Sequence, residues 1–272
     1  MLVSGSTWGY GGDVWNIATG VYLSKSLVVN AQETFPTGIF IKPDGASIYL
    51  IGNDASRIFQ YTLSTPWDVS TGSILGNSGA LQAATNHGIW FSADGSSAYL
   101  GGIPSSSIIH QYTLSTPWLA SSATYASKSL DINTQETQVK GLAFSADGSK
   151  VYVVGTGSDT IFQYTLSTPW DVSTGSYSGK SLNILAQTGD SAGLFIDSSG
   201  TRVYVPSTVA CIIYQYTLGT AWDISTGSYA EKSLNVSAIA NPLREAILDP
   251  EGAKMYAIGS GTDTIYQYVL GV

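Results

Sequence analysis

The sequence predicts an all-β protein, specifically a five-bladed β-propeller with four antiparallel strands in each blade. The first observation is a sixteen-residue segment, IFQYTLSTPWDVSTGS, which occurs at 58–73 and again without change at 161–176. Looser copies surround it, and their matching tryptophans, spaced 52, 51, 52 and 52 residues apart, are Trp15, Trp67, Trp118, Trp170 and Trp222. A fixed period of this length is typical of solenoids and propellers. The two chain ends also supply the strands of one complete copy, as ring closure requires.

The repeating unit is clearest at residues 140–184, where four short strands follow one another. GLAFS is an apolar run, and ADGSK is a turn in which Asp-Gly supplies the positive φ of a tight hairpin. VYVVG and TIFQYTLS are further runs rich in β-branched and aromatic residues, TPWDVSTGS is a connector, and YSGKSLNIL is a fourth run. No segment has helical periodicity, so the unit is an antiparallel meander of the kind that forms a propeller blade.

The chain ends predict how the ring closes. The last copy stops after its third strand, IYQYVLGV, while WNIATGVYLSKSL near the N-terminus aligns with WDVSTGSYSGKSL of the third copy. An N-terminal strand at about 21–29 therefore completes the last blade and removes the open edge. We expect an N-terminal arm over 1–14 and a single propeller over 15–272. The blades are expected at about 38–83, 88–133, 140–185, 192–237 and 244–272.

Composition excludes several functional classes. The chain has a net charge of −8 and only 11 Lys and Arg residues, which argues against a nucleic-acid partner because phosphate binding needs clustered cations. No apolar run is long enough to insert into a membrane, and no signal peptide is visible, so the localisation stays open. The single cysteine, the scattered histidines and the lack of a calcium or phosphate-binding loop predict neither a metal site nor a cofactor.

The repeated residues are expected to be scaffold. We predict that the tyrosine of each Gln-Tyr pair packs between blades and that the repeated tryptophans fill the gaps between neighbouring blades. Asp68, Asp171 and Asp223 follow the tryptophans and are expected to cap the connectors. A ring of tryptophans could instead form an aromatic platform for sugars. Recent duplication of one blade also explains the repeated segment without any function.

The positions that do not repeat are the better candidates for a site. In a propeller, one face carries the loops that enter each first strand and join the second strand to the third; we call this the loop face. The opposite connector face carries the Asp-Gly turns and the PWDVST connectors. Just before each first strand, the loop-face position varies among Thr37, His87, Lys140, Ala192 and Arg244, with Asp190 and Glu245 close by. Such a rim could bind an anion or a sugar through charge-assisted hydrogen bonds, or it could be an ordinary solvated surface.

Catalytic candidates are few. Most acidic residues belong to turns or connectors, which leaves Glu33, Glu136, Asp190 and Glu245 for a glycosidase, which needs two facing carboxylates. Gln, Glu and Asn in the loops NAQET and NTQET could also bind sugar hydroxyls or be ordinary loop polarity. His110 aligns with aromatic residues of the other blades and is expected to be a packed ring.

The unit GLAFSADGSKVYVVGTGSDTIFQYTL resembles the blades of YVTN/NHL-like propellers, although DSSG at 197–200 and DPEG at 249–252 depart from the hairpin pattern. QYTLSTPWDVST is similar to repeats of phage and marine viral proteins. The resemblance implies a place in a virion neck, tail or fibre. The resemblance to known repeats is specific for the fold and says little about function, because propellers perform many unrelated functions.

We therefore expect a non-enzymatic binding or structural module, virion- or surface-associated, with any ligand on the loop face around the central channel. The expected partner is a protein or a carbohydrate, and the chain is expected to act as a monomer or within a larger assembly. The first alternative is a lectin with repeated sugar sites between blades. The second is a glycoside-cleaving enzyme using Glu136, Asp190 or Glu245.

Overall fold

Five four-stranded antiparallel sheets form a closed ring around a central channel, which confirms the predicted five-bladed β-propeller. The computed structural model describes residues 13–83, 85–103 and 107–272. In each blade the innermost strand is the one that follows the long loop from the preceding blade, and it lies beside the innermost strands of the two neighbouring blades. The channel is therefore lined by the segments that differ most among the five copies.

The strands are numbered in chain order, and the blades are numbered from the first complete one. The closing strand is β1 (Val21–Val28). Blade 1 contains β2 (Pro36–Ile41), β3 (Ser47–Gly52), β4 (Phe59–Leu63) and β5 (Gly72–Asn77). Blade 2 contains β6 (Thr85–Phe91), β7 (Ser97–Ile103), β8 (Ile108–Leu114) and β9 (Ala123–Asp131). Blade 3 contains β10 (Val139–Phe144), β11 (Lys150–Gly155), β12 (Thr160–Leu166) and β13 (Gly175–Asn183).

The last two blades are built in the same way. Blade 4 contains β14 (Phe195–Ile196), β15 (Arg202–Pro206), β16 (Ile212–Leu218) and β17 (Gly227–Asn235). Blade 5 contains β18 (Leu243–Leu248), β19 (Lys254–Gly259) and β20 (Thr264–Val269). A short 3₁₀ turn precedes every outer strand, and the turns span Ile17–Thr19, Val69–Thr71, Ala120–Ser122, Val172–Thr174 and Ile224–Thr226.

The ring closes through β1, which pairs antiparallel with β20 from Val21 opposite Val269 to Val28 opposite Thr264. The predicted closure by an N-terminal strand is therefore confirmed. Residues 1–12 of the expected N-terminal arm lie outside the described part of the chain. Asp13 of that arm forms an ion pair with Lys232 of β17 at 3.1 Å.

The doubled segment is scaffold, because its side chains bind each blade to the next. The side-chain oxygen of each Gln in a Gln-Tyr pair accepts a hydrogen bond from a backbone N–H in the next blade's 3₁₀ turn. The five bonds run from Ala120 to Gln60, Val172 to Gln111, Ile224 to Gln163, Ile17 to Gln215 and Val69 to Gln267. A buried tyrosine of each second strand donates to the next connector's tryptophan carbonyl, in the pairs Tyr49–Trp118, Tyr99–Trp170, Tyr152–Trp222, Tyr204–Trp15 and Tyr256–Trp67.

Each tryptophan is held against the glycine of the turn between the first two strands of its own blade. In blade 3 the Trp170 amide donates to the Gly148 carbonyl at 3.0 Å, and both residues have positive φ, 64° and 70°. A Cβ on Gly148 would overlap the Trp170 ring, so this position requires glycine for space as well as for φ. Trp170 also stacks against Tyr99 of blade 2, as predicted for a residue between blades.

Lysine–aspartate pairs join the outer edges of most blades. Lys128 of β9 binds Asp171 of the next connector at 2.7 Å, and Lys25 binds Asp68 at 2.6 Å. The same aspartates accept the amide two residues later and so cap the 3₁₀ turns, as predicted for Asp68, Asp171 and Asp223. The interface between blades 1 and 2 differs, because Gly76 stands in place of the lysine and Leu119 in place of the aspartate. The 3₁₀ turn there has no side-chain cap.

Candidate functional site

The innermost strands β2, β6, β10 and β18 each have a β-bulge near their start, and these bulges shape the loop-face end of the channel. The register of β10 shifts between Val139 and Gly141, and the register of β18 shifts between Leu243 and Glu245. The extra residues are Lys140 and Arg244. Bulges re-aim single side chains and are frequent beside functional sites. Here they place two cationic side chains at the channel mouth of an otherwise repeating scaffold.

His87, Lys140 and Arg244 come together at this mouth, and we call these three residues the basic rim. The Lys140 Nζ lies 3.4 Å from the His87 Nε2. Because an ammonium group can only donate, Nε2 is the accepting nitrogen, and the imidazole proton is on Nδ1. Burial, reinforced by the charges of Lys140 and Arg244, lowers the pKa of His87 to about 3, so the ring is neutral at ordinary pH.

Arg244 is positioned by two contacts that the sequence does not reveal. Its Nε donates to the Ser260 Oγ at 2.7 Å, and its guanidinium carbon lies 4.7 Å from the centre of the Phe35 ring. These contacts fix the guanidinium between blades 5 and 1. Within the described residues, its two terminal amino groups make no hydrogen bond, so they are available to a ligand.

Among the described residues, the basic rim has no carboxylate bound to it. Within the described chain, neither Lys140 nor Arg244 has a carboxylate oxygen within ion-pair distance. Burial and the charge of Arg244 lower the pKa of Lys140, with a smaller opposing effect from Glu136. Two half-buried cations that repel each other gain most from an anion placed between them.

Thr37 and Asp190 were also predicted as ligand-binding residues, and in the structure their polar atoms have partners within the scaffold. Thr37 is buried, and its hydroxyl donates to the carbonyl of Asn86 in the neighbouring blade. Asp190 accepts hydrogen bonds from the hydroxyls of Thr188 and Ser207 and from the Val209 amide at 2.8 Å. Both side chains use their polar atoms to hold the scaffold.

Glu245 was also expected at the rim but lies deeper, inside the channel. It occupies the place of a glycine that the other four copies share, Gly38, Gly88, Gly141 and Gly193. A Cβ on Gly193 would overlap the Glu245 carboxyl, so the glycines leave the space that this side chain fills. Burial raises the pKa of Glu245 well above its ordinary value, although hydrogen bonds from the Ala246 and Leu194 amides oppose the shift.

The other carboxylates proposed for catalysis serve as loop anchors. Glu33 is buried and accepts hydrogen bonds from the amides of Phe35, Asp54 and Ala55. Glu136 accepts from the amides of Gln138 and Gly157 and from a serine hydroxyl. The glutamines beside them accept hydrogen bonds from buried tyrosines of the Gln-Tyr pairs. The NAQET and NTQET loops are therefore stabilised by internal bonds.

Two further observations concern other kinds of site. In the described ranges, no group of three or more His, Cys, Asp or Glu side chains could hold a metal ion. No helix in that part of the chain has the length and apolar character needed to cross a membrane. His110 packs edge-on against Tyr125, as predicted for an aromatic substitute, and burial lowers its pKa.

Comparison with known proteins supports the fold alone. No protein-family model matches the chain, and no curated protein matches it in sequence. The β-propeller domain of Cps50 (Swd1) from Myceliophteria thermophila is 11% identical over 92% of this chain and 99% of its own, with a TM-score of 0.51. A candidate 6-phosphogluconolactonase from Bacteroides fragilis is 11% identical over 86% and 80%, with a TM-score of 0.53.

A protein of unknown function from Desulfotomaculum acetoxidans is 10% identical over 82% of this chain, with a TM-score of 0.50, and the chain spans 62% of its length. The chain likewise spans 63% of a Bacteroides uniformis structure at 15% identity. Identities this low indicate a shared architecture and carry no information about function. The YVTN/NHL-like grouping and the virion association both stay predictions. The chain is a five-bladed β-propeller with a basic rim at one mouth of its channel.

Proposed function

We propose that the chain is a non-enzymatic binding module that holds one small anionic ligand, or an anionic group of a larger partner, at the basic rim. The observation behind the proposal is the convergence of Lys140, Arg244 and His87 without an acidic partner among the described residues. A guanidinium and an ammonium together provide several donors for carboxylate or phosphate oxygens. Because the whole chain has a net charge of −8, a cluster of cations at the rim does not follow from its general composition.

His87 contributes an adjustable charge to this site. Alone, the ring is neutral because protonation beside two cations in a buried position is unfavourable. A bound anion reverses part of that cost, so binding and protonation of His87 favour each other. The proposal therefore includes tighter anion binding as the pH falls through the pKa that His87 has in the bound state.

The alternatives remain open with less support. A glycosidase would need free facing carboxylates, and the oxygens of Glu136 and Asp190 are engaged in loop hydrogen bonds. A lectin with repeated sites would use the grooves between blades, where the repeated Gln, Tyr and Trp groups already bond to one another. The virion setting rests on the similarity of the repeated segment to viral repeats. It fits a module that binds an acidic protein surface or an acidic sugar.

Isothermal titration with inorganic phosphate at low ionic strength tests the proposal. We expect one phosphate per chain, and affinity at least about tenfold lower for Lys140→Ala and for Arg244→Ala, since each removes a charge-assisted contact. Lys180→Ala is the matched control: it removes the same charge from the connector side, where Lys180 pairs with Asp223. Equal losses in all three variants would mean a non-specific charge effect, and an absence of binding to the intact chain would contradict the proposal.

A further inference from the structure

The opposite end of the channel contains a second cavity that the basic rim does not explain. It opens on the connector face, has a volume of about 270 Å³ and is bounded by all five blades. Its walls are mainly aromatic and aliphatic side chains from the first strands, the Asp-Gly turns and the connectors. The aromatic wall residues are Trp15, Phe40, Trp67, Trp90, Phe144, Phe195 and Trp222. We propose that this cavity is a binding site for an uncharged aromatic small molecule about the size of one bicyclic ring.

The channel-facing positions of the first strands shape the cavity, and they are not scaffold positions. The equivalent residues in blades 1 to 5 are Phe40, Trp90, Ala143, Phe195 and Ile247. Phe40, Trp90 and Phe195 are only partly buried although they lie in the interior of the ring. Large aromatic side chains that are left partly uncovered inside a concave, apolar wall are typical of ligand sites.

The cavity is separate from the basic rim. Glu245 lines a separate, smaller space, which is also lined by Phe40, Trp90 and Phe195. It does not line the connector-face cavity. A Cβ on Gly38 would lie 3.2 Å from the Gly88 amide nitrogen, so the inner strands approach closely at this level. No residue of the basic rim lines the connector-face cavity. The two ends of the channel can therefore be occupied independently.

The polar groups in the wall favour an uncharged guest. Among the described wall residues, Asp197 alone has a charged side chain, and its carboxylate accepts hydrogen bonds from the amides of Thr201 and Arg202. Its second oxygen pairs with the Arg202 guanidinium at 3.2 Å. A charged ligand would thus lose its hydration without gaining an unpaired counter-ion. An aromatic guest loses little hydration and gains ring contacts with the wall.

The volume sets the size of the guest. An apolar cavity of about 150 Å³ is enough to bind benzene. The cavity here is larger, at about 270 Å³, so it has room for a fused two-ring molecule such as an indole. The ligand class is therefore a neutral bicyclic aromatic compound.

Binding of 5-fluoroindole, followed by ¹⁹F NMR, tests this site directly. We expect saturable binding of one molecule per chain, unchanged by phosphate. Ala146→Trp at the exposed edge of the cavity fills it, and we expect binding to weaken by about tenfold or more because the guest loses its wall contacts. Ala93→Trp is the matched control, since Ala93 occupies the equivalent turn position of blade 2 and does not line the cavity.

The remaining outcomes decide against the site. Failure of the intact chain to bind 5-fluoroindole, or equal weakening in the two tryptophan variants, would overturn the proposal. Tighter binding of tetramethylammonium than of 5-fluoroindole would show an aromatic cage for a cation instead. Binding that appears only after residues 1–12 are removed would mean that the chain itself fills the cavity.

Discussion

The connector face and the channel of this propeller follow opposite rules. On the connector face the same contacts recur in blade after blade. A Gln oxygen accepts a hydrogen bond from a backbone amide, a Tyr hydroxyl donates one to a Trp carbonyl, and the Trp ring packs against a glycine. At the channel mouth the position of Lys140 and Arg244 has a different residue in every blade, and Glu245 replaces a glycine that the other four blades share. Interfaces between identical blades require identical contacts, whereas a channel has one centre and needs no symmetry.

This difference gives a criterion for reading repeat proteins from one sequence. Positions that repeat bind blades together, and their loss is expected to reduce stability. Positions that vary around the channel are free to serve a single ligand, and their loss is expected to affect binding with little effect on stability. Four changes, in order of decreasing expected effect, test whether the two regions separate in this way.

The largest loss is expected for Gly148→Ala, which affects the repeated turn. The new Cβ would overlap the Trp170 ring and would also require an alanine at a φ of 70°. We expect the free energy of unfolding to fall by about 3 kcal/mol or more, measured by urea denaturation. Gly79→Ala is the control, because no atom lies near its Cβ position. Similar stability of the two variants would contradict the packing role of the tryptophans.

A smaller loss is expected for Gln163→Ala, which removes one bond between blades 3 and 4. The Ile224 amide now donates to Gln163 at 3.0 Å in a buried place and would be left without a partner. We expect a cost of about 1–3 kcal/mol. Gln138→Ala removes only an exposed contact with Thr156, so a comparable loss there would show that the blade interface is not the cause.

The pH dependence of the free energy of unfolding tests Glu245, a residue of the channel that the scaffold does not repeat. Its pKa is higher in the folded chain than the ordinary 4.5, so the folded state binds more protons between these two values. The free energy of unfolding therefore falls as the pH rises through that window. We expect Glu245→Gly, which restores the residue of the other four blades, to remove this decline. Parallel stability curves for the variant and the original chain from pH 4.5 to pH 8 would contradict the assigned burial.

The smallest effect is a gain, expected when the exceptional interface between blades 1 and 2 is made like the others. Leu119→Asp adds the missing cap to the 3₁₀ turn, worth about 1 kcal/mol. Gly76→Lys has open space around its Cβ and would face the new aspartate, adding about 0.2–1 kcal/mol. A double-mutant cycle by thermal unfolding measures the coupling, and a destabilised double variant would refute the equivalence of the five interfaces.

The fold was predictable because its evidence is repetition. Five copies of the Gln-Tyr and Trp positions and the split final blade specify the number of blades and the closure by β1 without any knowledge of contacts. The role of the connector aspartates as caps also followed from local sequence.

The site was predictable only in part. Variation among the copies identified Lys140 and Arg244, and the structure brings both close to His87. It also named Thr37 and Asp190, whose polar atoms have partners within the scaffold, and a residue's type does not reveal such partners. The depth of Glu245 depends on a bulge one residue away, and strand register at that precision is not visible in a sequence. The aromatic cavity combines side chains from all five blades and has no local signal.

The most direct test of the central claim uses the two histidines of the chain, His87 at the basic rim and His110 on an outer strand. Their imidazole signals are followed by ¹H–¹³C NMR from pH 7 down to pH 4, with and without inorganic phosphate. We expect phosphate to raise the pH at which the His87 signals change toward those of the protonated ring, because a bound anion raises its pKa from about 3, and to leave the His110 signals unchanged. Signals of His87 that ignore phosphate, or equal shifts of both histidines, would contradict an anion site at the rim.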